Sequence, residues 1–209
     1  MIAPSHPYPT RLIDRWTLAG GRRVIVRPVL PQDAELEQSL VRGLSPEARY
    51  NRFFNPIREL SPGQLEQMTQ IDYRCHVALV AESFDGGVAR VVGEARYVID
   101  AGGRGAEFAV VVADDWRRLK LATRLLRTLC EHACEAGLET LYGDVLASNE
   151  PMLGMLRRLG FRRRMHPGDP RLVLATIELN GEGSGRVPCT TARAAWPSRL
   201  PRAGFMPAL

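Results

Sequence analysis

Two runs decide the fold: AEFAVVVADDWRRLKLATRLL over residues 106–126 and LYGDVLASNEPMLGMLRRLGF over residues 141–161. The first begins as an apolar strand carrying one carboxylate, Glu107, and passes through a basic loop into an amphipathic helix. In that helix Ala122, Leu125, Leu126, Leu129, Cys130 and Ala133 recur at the i, i+3, i+4 spacing of a single apolar stripe, and Gly137 is a natural stop. The second run is a strand followed by a helix that Asn149 opens and Gly160 ends. A strand feeding a basic loop at a helix N-terminus is a way to hold a phosphorylated ligand, because free N–H groups and the positive end of the helix dipole meet there. Arg117, Arg118 and Lys120 add formal charge; the alternative reading of the same residues is a solvated basic helix start.

Working outward, VIVRP (Val24–Pro28) reads as a short strand, and Pro31-Gln32-Asp33 starts a helix that runs to Arg42. Ser45 caps a second helix with Pro46 at its first position, and Ser61 with Gln64 forms a capping box for a third that runs to Gln70. A meander follows: His76–Ser83, a turn at Asp85-Gly86-Gly87, Val88–Asp100, a turn at Gly102, Gly103 and Gly105, then Ala106–Ala113. Leu138–Leu146 is a further strand, and two last strands flank Pro167–Pro170, the second being Arg171–Leu179. The pattern predicts an α/β (α+β) fold: one mixed, mostly antiparallel twisted sheet with helices on both faces, in a single domain over residues 16–179. Residues 1–15 read as an irregular lead-in, and residues 180–209, rich in Gly, Ser, Pro and Ala, as a flexible tail.

The 209 residues, 45% of them hydrophobic, suffice for one core and are marginal for two. Of 28 basic residues only Lys120 is lysine, so 27 are arginine, and they are scattered except at Arg117-Arg118 and Arg162-Arg163-Arg164. That distribution argues against nucleic-acid binding, which wants basic residues gathered on one face. No apolar run reaches the length of a membrane span or of a signal-peptide core, so the expectation is a cytoplasmic protein. Cys130 and Cys134 share a helix face without a nearby His/Cys pair at ligand spacing and read as small buried hydrophobes, not as metal ligands or a disulfide. His76, His132 and His166 show no ligand pattern, so no metal is expected, and no Ser-His-Asp order or Gly-x-Ser-x-Gly elbow suggests a hydrolase.

The segment Arg117-Arg118-Leu119-Lys120-Leu121-Ala122 resembles the pyrophosphate loop of the GNAT superfamily of N-acetyltransferases, Gln/Arg-x-x-Gly-x-Gly/Ala, with Lys120 where the family has Gly. Gly160-Phe161 matches the family's Gly-Phe ending, Asn149 its strand-to-helix Asn, and Leu156 stands where many members carry an acidic Tyr for the leaving thiolate. The runs at 17–54 and 68–73, with the strand at Ala106, are similar to the GNAT domain of bacterial Pat-type protein lysine acetyltransferases. The likeness extends over residues 16–179.

The resemblance implies acetyl-CoA as co-substrate, held by Val110, Val111 and Val112, by Arg117, Arg118, Lys120, Leu121, Ala122 and Thr123, and by Asn149, which is equally a plain helix cap. It implies Glu107 as general base and the N–H groups of Val110 and Val111 as donors to the thioester carbonyl. Strand alternation sets Glu107 with Ala109 and Val111, opposite Phe108 and Val110, a phase that the family's bulge in this strand would alter. Asp72, Tyr73 and Glu94 would line the amine side, with a structural role at a helix end the alternative for Asp72. Three functions remain open: transfer to a protein lysine, transfer to a small-molecule amine, or a degenerate GNAT-like module that binds CoA with little catalysis.

Overall fold

The computed structural model describes residues 7–179. Eight strands, β1 (Asp14–Thr17), β2 (Arg23–Pro28), β3 (His76–Asp85), β4 (Val88–Ile99), β5 (Gly105–Val112), β6 (Thr140–Leu146), β7 (Arg162–Met165) and β8 (Leu172–Glu178), form one sheet. Their order is β1-β2-β3-β4-β5-β6-β8-β7, and the β5–β6 pair is the parallel one. Five α-helices accompany them: α1 (Ala34–Gly43), α2 (Pro46–Phe53), α3 (Pro62–Thr69), α4 (Leu121–Glu135) and α5 (Glu150–Arg158). The mixed sheet flanked by helices is the architecture that the periodicities predict.

Residues facing each other across an antiparallel pair share a side of the sheet, so the register assigns the faces. Gly93 and Val112 pair, and a Cβ on Gly93 would touch Leu121 at 3.2 Å and Leu125 at 3.4 Å. Gly93, Ala95, Tyr97, Ala106, Phe108 and Val110 therefore face α4, where Tyr97 Oη meets His132 Nδ1 at 2.9 Å. Leu121, Leu125, Leu126 and Leu129 of α4 are buried there, each worth about 1.5–3 kcal/mol. The other face carries Glu94, Arg96, Glu107 and Ala109 and is covered by α1–α3: Arg96 Nη1 donates to Met68 O at 3.2 Å, and Arg52 of α2 pairs with Glu94. The caps read from sequence are present, since Ser45 Oγ accepts from Ala48 N at 3.2 Å and Ser61 Oγ from Gln64 N at 3.3 Å.

Four details depart from the sequence reading or lie beyond it. β1 begins at Asp14, inside the stretch read as irregular; its four residues carry little periodicity and are ordered by pairing with β2. The β4–β5 register is unbroken from Gly93↔Val112 to Ile99↔Ala106, so β5 has no bulge against β4; the irregularity lies between β3 and β4 at Ala81/Glu82. Cys130 and Cys134 are free but half-buried where the sequence reading had them buried, while Cys75 is disulfide-bonded. The stretch 180–209, read as a tail, lies outside the described residues. Among those described, no helix is long and apolar enough to cross a membrane, and no group of three His, Cys, Asp or Glu is placed to hold a metal.

Candidate active site

β5 and β6 are bridged at Gly105↔Thr140, Ala106↔Leu141 and Glu107↔Tyr142, yet β5 runs on to Val112 and β6 to Leu146. Past Glu107 the two strands part. Gly143 stands at the fork, where a Cβ would lie 2.9 Å from the Phe108 carbonyl oxygen and 3.0 Å from its ring. Ala113 N donates to Val92 O and Asp100 N to Gly105 O, both at 2.9 Å. With the register fixed, odd-numbered residues of β5 therefore bond to β4, and even-numbered ones turn their main-chain groups toward β6. The N–H groups of Val110 and Val112 thus face the gap, whereas that of Val111 is committed to the β4 ladder. The sequence reading paired Val110 with Val111 as donors, and the ladder separates them.

The gap is a narrow cleft open to solvent. Phe108, Ala109 and Val110 of β5 form one wall, and Asp144, Val145, Asn149 and Met152 the other. Asn51, Arg52 and Phe54 close it from the α2 side. Asn149 has both of its expected roles open to it: its Oδ1 caps α5 by accepting from Met152 N at 3.3 Å, and the residue lines the cleft.

The loop leaving β5 carries the chain to the N-terminus of α4. Arg118 and Lys120 both have φ 63°, in the left-handed region that favours glycine. Lys120 is the N-cap residue of α4, and no side chain caps that helix. The first helical bond is Arg124 N to Lys120 O at 3.0 Å, so the N–H groups of Leu121, Ala122 and Thr123 have no partner within the helix. Arg117 is paired with Asp114 at 2.9 Å. Asp114 in turn accepts from Ser45 N at 2.7 Å and Ser45 Oγ at 3.0 Å, which bolts the start of α2 to this loop. Arg118 and Lys120 are exposed and in none of the ion pairs formed among the described residues. An uncapped helix start with two such cations fits a pyrophosphate, and the left-handed backbone explains why this position suits a glycine.

Glu107 sits at the last bridged pair, half-buried, on the same face as Tyr142 and Asp144. Burial, followed by the charges of Asp100 and Glu107, pushes the Tyr142 hydroxyl up to about 12. Asp144 Oδ2 lies 3.7 Å from His166 Nε2. Beneath α1–α3 is a buried ionic group in which Glu94 bonds Arg96 through Arg96 Nε and lies 3.8 Å from Arg52 Nη2. His76 Nε2 meets Arg96 Nη1 at 3.0 Å, and burial, with the charges of Arg96 and Arg52, holds its imidazole well below the ordinary range. Glu37 is fully buried beside them; desolvation, then the charge of Glu94, pushes its carboxyl up to about 8.

Three residues expected on the amine side do not join the cleft lining. Asp72 Oδ1 accepts from the N–H groups of Arg74, Cys75 and His76 at 2.9–3.0 Å, a structural role at the entry to β3 and not at the helix end that the sequence reading weighed. Tyr73 Oη donates to Val29 O at 2.9 Å, and Glu94 is enclosed with Arg96. Leu156 is buried in the core, so no proton donor occupies that position. The sequence reading missed Asn51, Arg52, Met152 and Asp144. Asp144 was legible as the charged residue of an otherwise apolar strand, whereas Asn51 and Arg52 lie in a short helix whose placement over the cleft depends on the Ser45–Asp114 bolt.

The profile described as the acetyltransferase (GNAT) family matches residues 47–161. "Acetyltransferase PA5475" of Pseudomonas aeruginosa is 35% identical over 168 residues, which are 79% of this chain and 90% of that protein. "Acetyltransferase Pat" of Mycolicibacterium smegmatis is 30% identical over 141 residues, 67% of this chain but 41% of that longer protein. Among solved structures, the GNAT domain of S. lividans PAT superposes with a TM-score of 0.75 at 26% identity, covering 83% of this chain and all of that one. The structure of yncA from Salmonella typhimurium, described as a putative acetyltransferase with its cofactor acetyl-CoA, gives 0.60 at 16% identity, over 78% of this chain and 97% of that one.

Proposed function

This chain belongs to the acetyltransferase (GNAT) family, and from that premise we propose that it moves an acetyl group from acetyl-CoA directly to an amine, with a protein lysine as acceptor and Glu107 as general base. The observation that carries the reading is the parting of β5 and β6 just beyond Glu107, with Val110 N–H on the open edge and an uncapped α4 start at the same end. The N–H groups of Leu121, Ala122 and Thr123, with Arg118 and Lys120, hold the pyrophosphate. Asn149 and Met152 flank the arm that leads to the thioester. The choice of a protein lysine follows the likeness to Pat-type GNAT domains.

A lysine ammonium, with a pKa near 10.4, must lose a proton before it attacks. Glu107, at the fork, takes it directly or through a water. Val110 N–H polarises the thioester carbonyl. With Leu156 at the Tyr position, CoA leaves as the thiolate, which is acceptable for a thiol whose pKa is near 8.5.

Two measurements test the reading. Acetyl-CoA at a hundred times its Kd is expected to stabilise the fold by about 2.7 kcal/mol and raise the melting midpoint by a few degrees. Glu107→Gln is expected to cut turnover on a lysine peptide while leaving that shift intact. No shift at millimolar acetyl-CoA refutes the donor, and full turnover in the variant refutes the base.

A further inference from the structure

Arg52 of α2 presents a problem of unmet donors. Its side chain is 3% exposed and lines the cleft beside Phe108, Ala109 and Val110. Nε and Nη2 are sealed from solvent with no hydrogen-bond partner among the described residues, and the contact with Glu94 is long at 3.8 Å. The guanidinium carbon rests 4.8 Å from the Phe53 ring centroid. A guanidinium has five N–H donors, and a buried donor left unmet keeps the cost of its lost hydration. Native folds retain such groups where something outside the chain meets them, a water or a ligand. Nη1 is not among the sealed nitrogens, and the residue lines the cleft.

The surrounding charges say which kind of partner. Arg52 and Arg96 share Glu94. Glu37 is pushed up to about 8 and so is largely neutral at pH 7, and His76 is held neutral. Glu107 is close enough to act on Arg52 as a negative charge. Two guanidiniums thus stand against Glu94 and Glu107, while Asp144 on the opposite wall faces His166 at 3.7 Å. When Glu107 takes a proton from the acceptor amine, that balance loses one negative charge. Attack on the thioester then places a negative charge on the carbonyl oxygen.

We propose that Arg52 is a catalytic residue of the transfer, donating from its guanidinium to the thioester oxygen and sharing the developing charge with Val110 N–H. The assignment rests on the acetyl-transfer reading above. The amine lone pair forms the C–N bond as the carbonyl pair moves onto oxygen, where Arg52 and Val110 hold it. Return of that pair breaks the C–S bond and expels CoA as the thiolate, which takes the surplus proton of the new amide nitrogen. Glu107 releases its own proton to solvent. A charged donor to such an oxygen is short and strong, and loss of one oxyanion donor lowers kcat by about 100- to 1,000-fold.

The test compares wild-type protein, R52M and R52K, using acetyl-CoA and the thioether S-ethyl-CoA, which lacks the carbonyl oxygen. Calorimetry gives both affinities, steady-state assays on a lysine peptide give kcat and KM, and thermal unfolding checks the fold. Wild-type protein is expected to bind acetyl-CoA several-fold more tightly than S-ethyl-CoA. R52M is expected to shrink that ratio and to lower kcat about 100-fold with KM for acetyl-CoA within threefold, and R52K to recover part of both. A wild-type ratio of one overturns the assignment even if R52M fails to fold. So does a ratio unchanged in R52M or R52K, or a loss that affects both ligands in parallel with stability. Wild-type protein that binds neither ligand overturns the acetyl-transfer reading and this assignment with it.

Discussion

Lys120 offers two effects that two substitutions separate. Its backbone has φ 63° and ψ 14° at the N-cap of α4, and its side chain is exposed. A residue with a Cβ pays about 1–2 kcal/mol in that conformation, and glycine avoids it. Glycine also gives the unfolded chain more freedom, which costs about 0.5–1 kcal/mol. At the midpoints of these two ranges Lys120→Gly is more stable by about 0.75 kcal/mol, or about 1.5–3 °C in the melting midpoint for a domain of this size. Lys120→Ala keeps the Cβ and its strain, so its midpoint is expected to stay within about 1 °C of wild type. Both variants lose the ammonium. An exposed ion pair is worth about 0.2–1 kcal/mol, so at low salt each should bind acetyl-CoA about 1.4- to 5-fold more weakly. At 1 M salt, where the screening length is about 3 Å, that gap should close. Differential scanning calorimetry and titration at two salt concentrations measure both effects. If Lys120→Gly is no more stable than Lys120→Ala, the left-handed backbone is not a strain at this site. If the loss of affinity is the same at both salt concentrations, the contribution of Lys120 is not ionic.

Three further outcomes follow from the packing. Glu37 keeps its proton up to about 8 in the fold, against an ordinary value of 4.5, so the unfolded chain binds fewer protons than the folded one between those values and stability falls as pH rises through that window. Glu37→Gln should remove the slope, its urea midpoint gaining on wild type from pH 5 to pH 8; a constant gap refutes the buried acid. Gly143→Ala drives a Cβ to 2.9 Å from the Phe108 carbonyl oxygen and should cost about 1–3 kcal/mol while weakening acetyl-CoA binding, and an unchanged urea midpoint would show that the fork is not tightly closed there. Asp72→Ala removes the acceptor of three main-chain N–H groups and should cost about 1–3 kcal/mol of stability with kcat unaltered. A fall in kcat at undiminished stability would return Asp72 to the acceptor side.

What the sequence made legible was periodic. The apolar stripe of α4, the alternation of β3 to β5 and the Ser and Asn caps each repeat a local rule often enough to read, and they gave the sheet and its helices. β1 escaped because four residues on an edge are ordered by their neighbour and not by their own pattern. The candidate site was legible in part where it coincides with a chain signal: Asn149, read as a cap, lines the cleft, while Glu107 and the basic loop before α4 were legible as charges and lie at the fork and at the helix start, outside that lining. It was not legible where a side chain's surroundings come from elsewhere in the chain. Asp72 and Glu94 are ordinary acids in sequence, and only the fold shows one accepting three main-chain bonds and the other enclosed between arginines. Val110 and Val111 are indistinguishable as residues, and the ladder with β4 gives them opposite main-chain directions.

The position of the cleft follows from connectivity. Each of β2 to β5 returns beside the strand before it in a continuous antiparallel ladder, which takes up one edge of β5 and leaves the other to β6. β6 runs parallel to β5, and the chain must cross the sheet in α4 before it can pair. α4 therefore starts at the C-terminal end of β5, which is where the bridges to β6 have run out. The open-edge N–H of Val110 and the unpartnered N–H groups of the first turn of α4 lie at one end of the molecule for the same reason. Asp114 lies in the loop between them, and its bonds to Ser45 fix the start of α2, which carries Arg52 to the α2 side of the same cleft. One parallel pair in an otherwise antiparallel sheet thus supplies the gap, the uncapped helix start beside it and the anchor for the third wall.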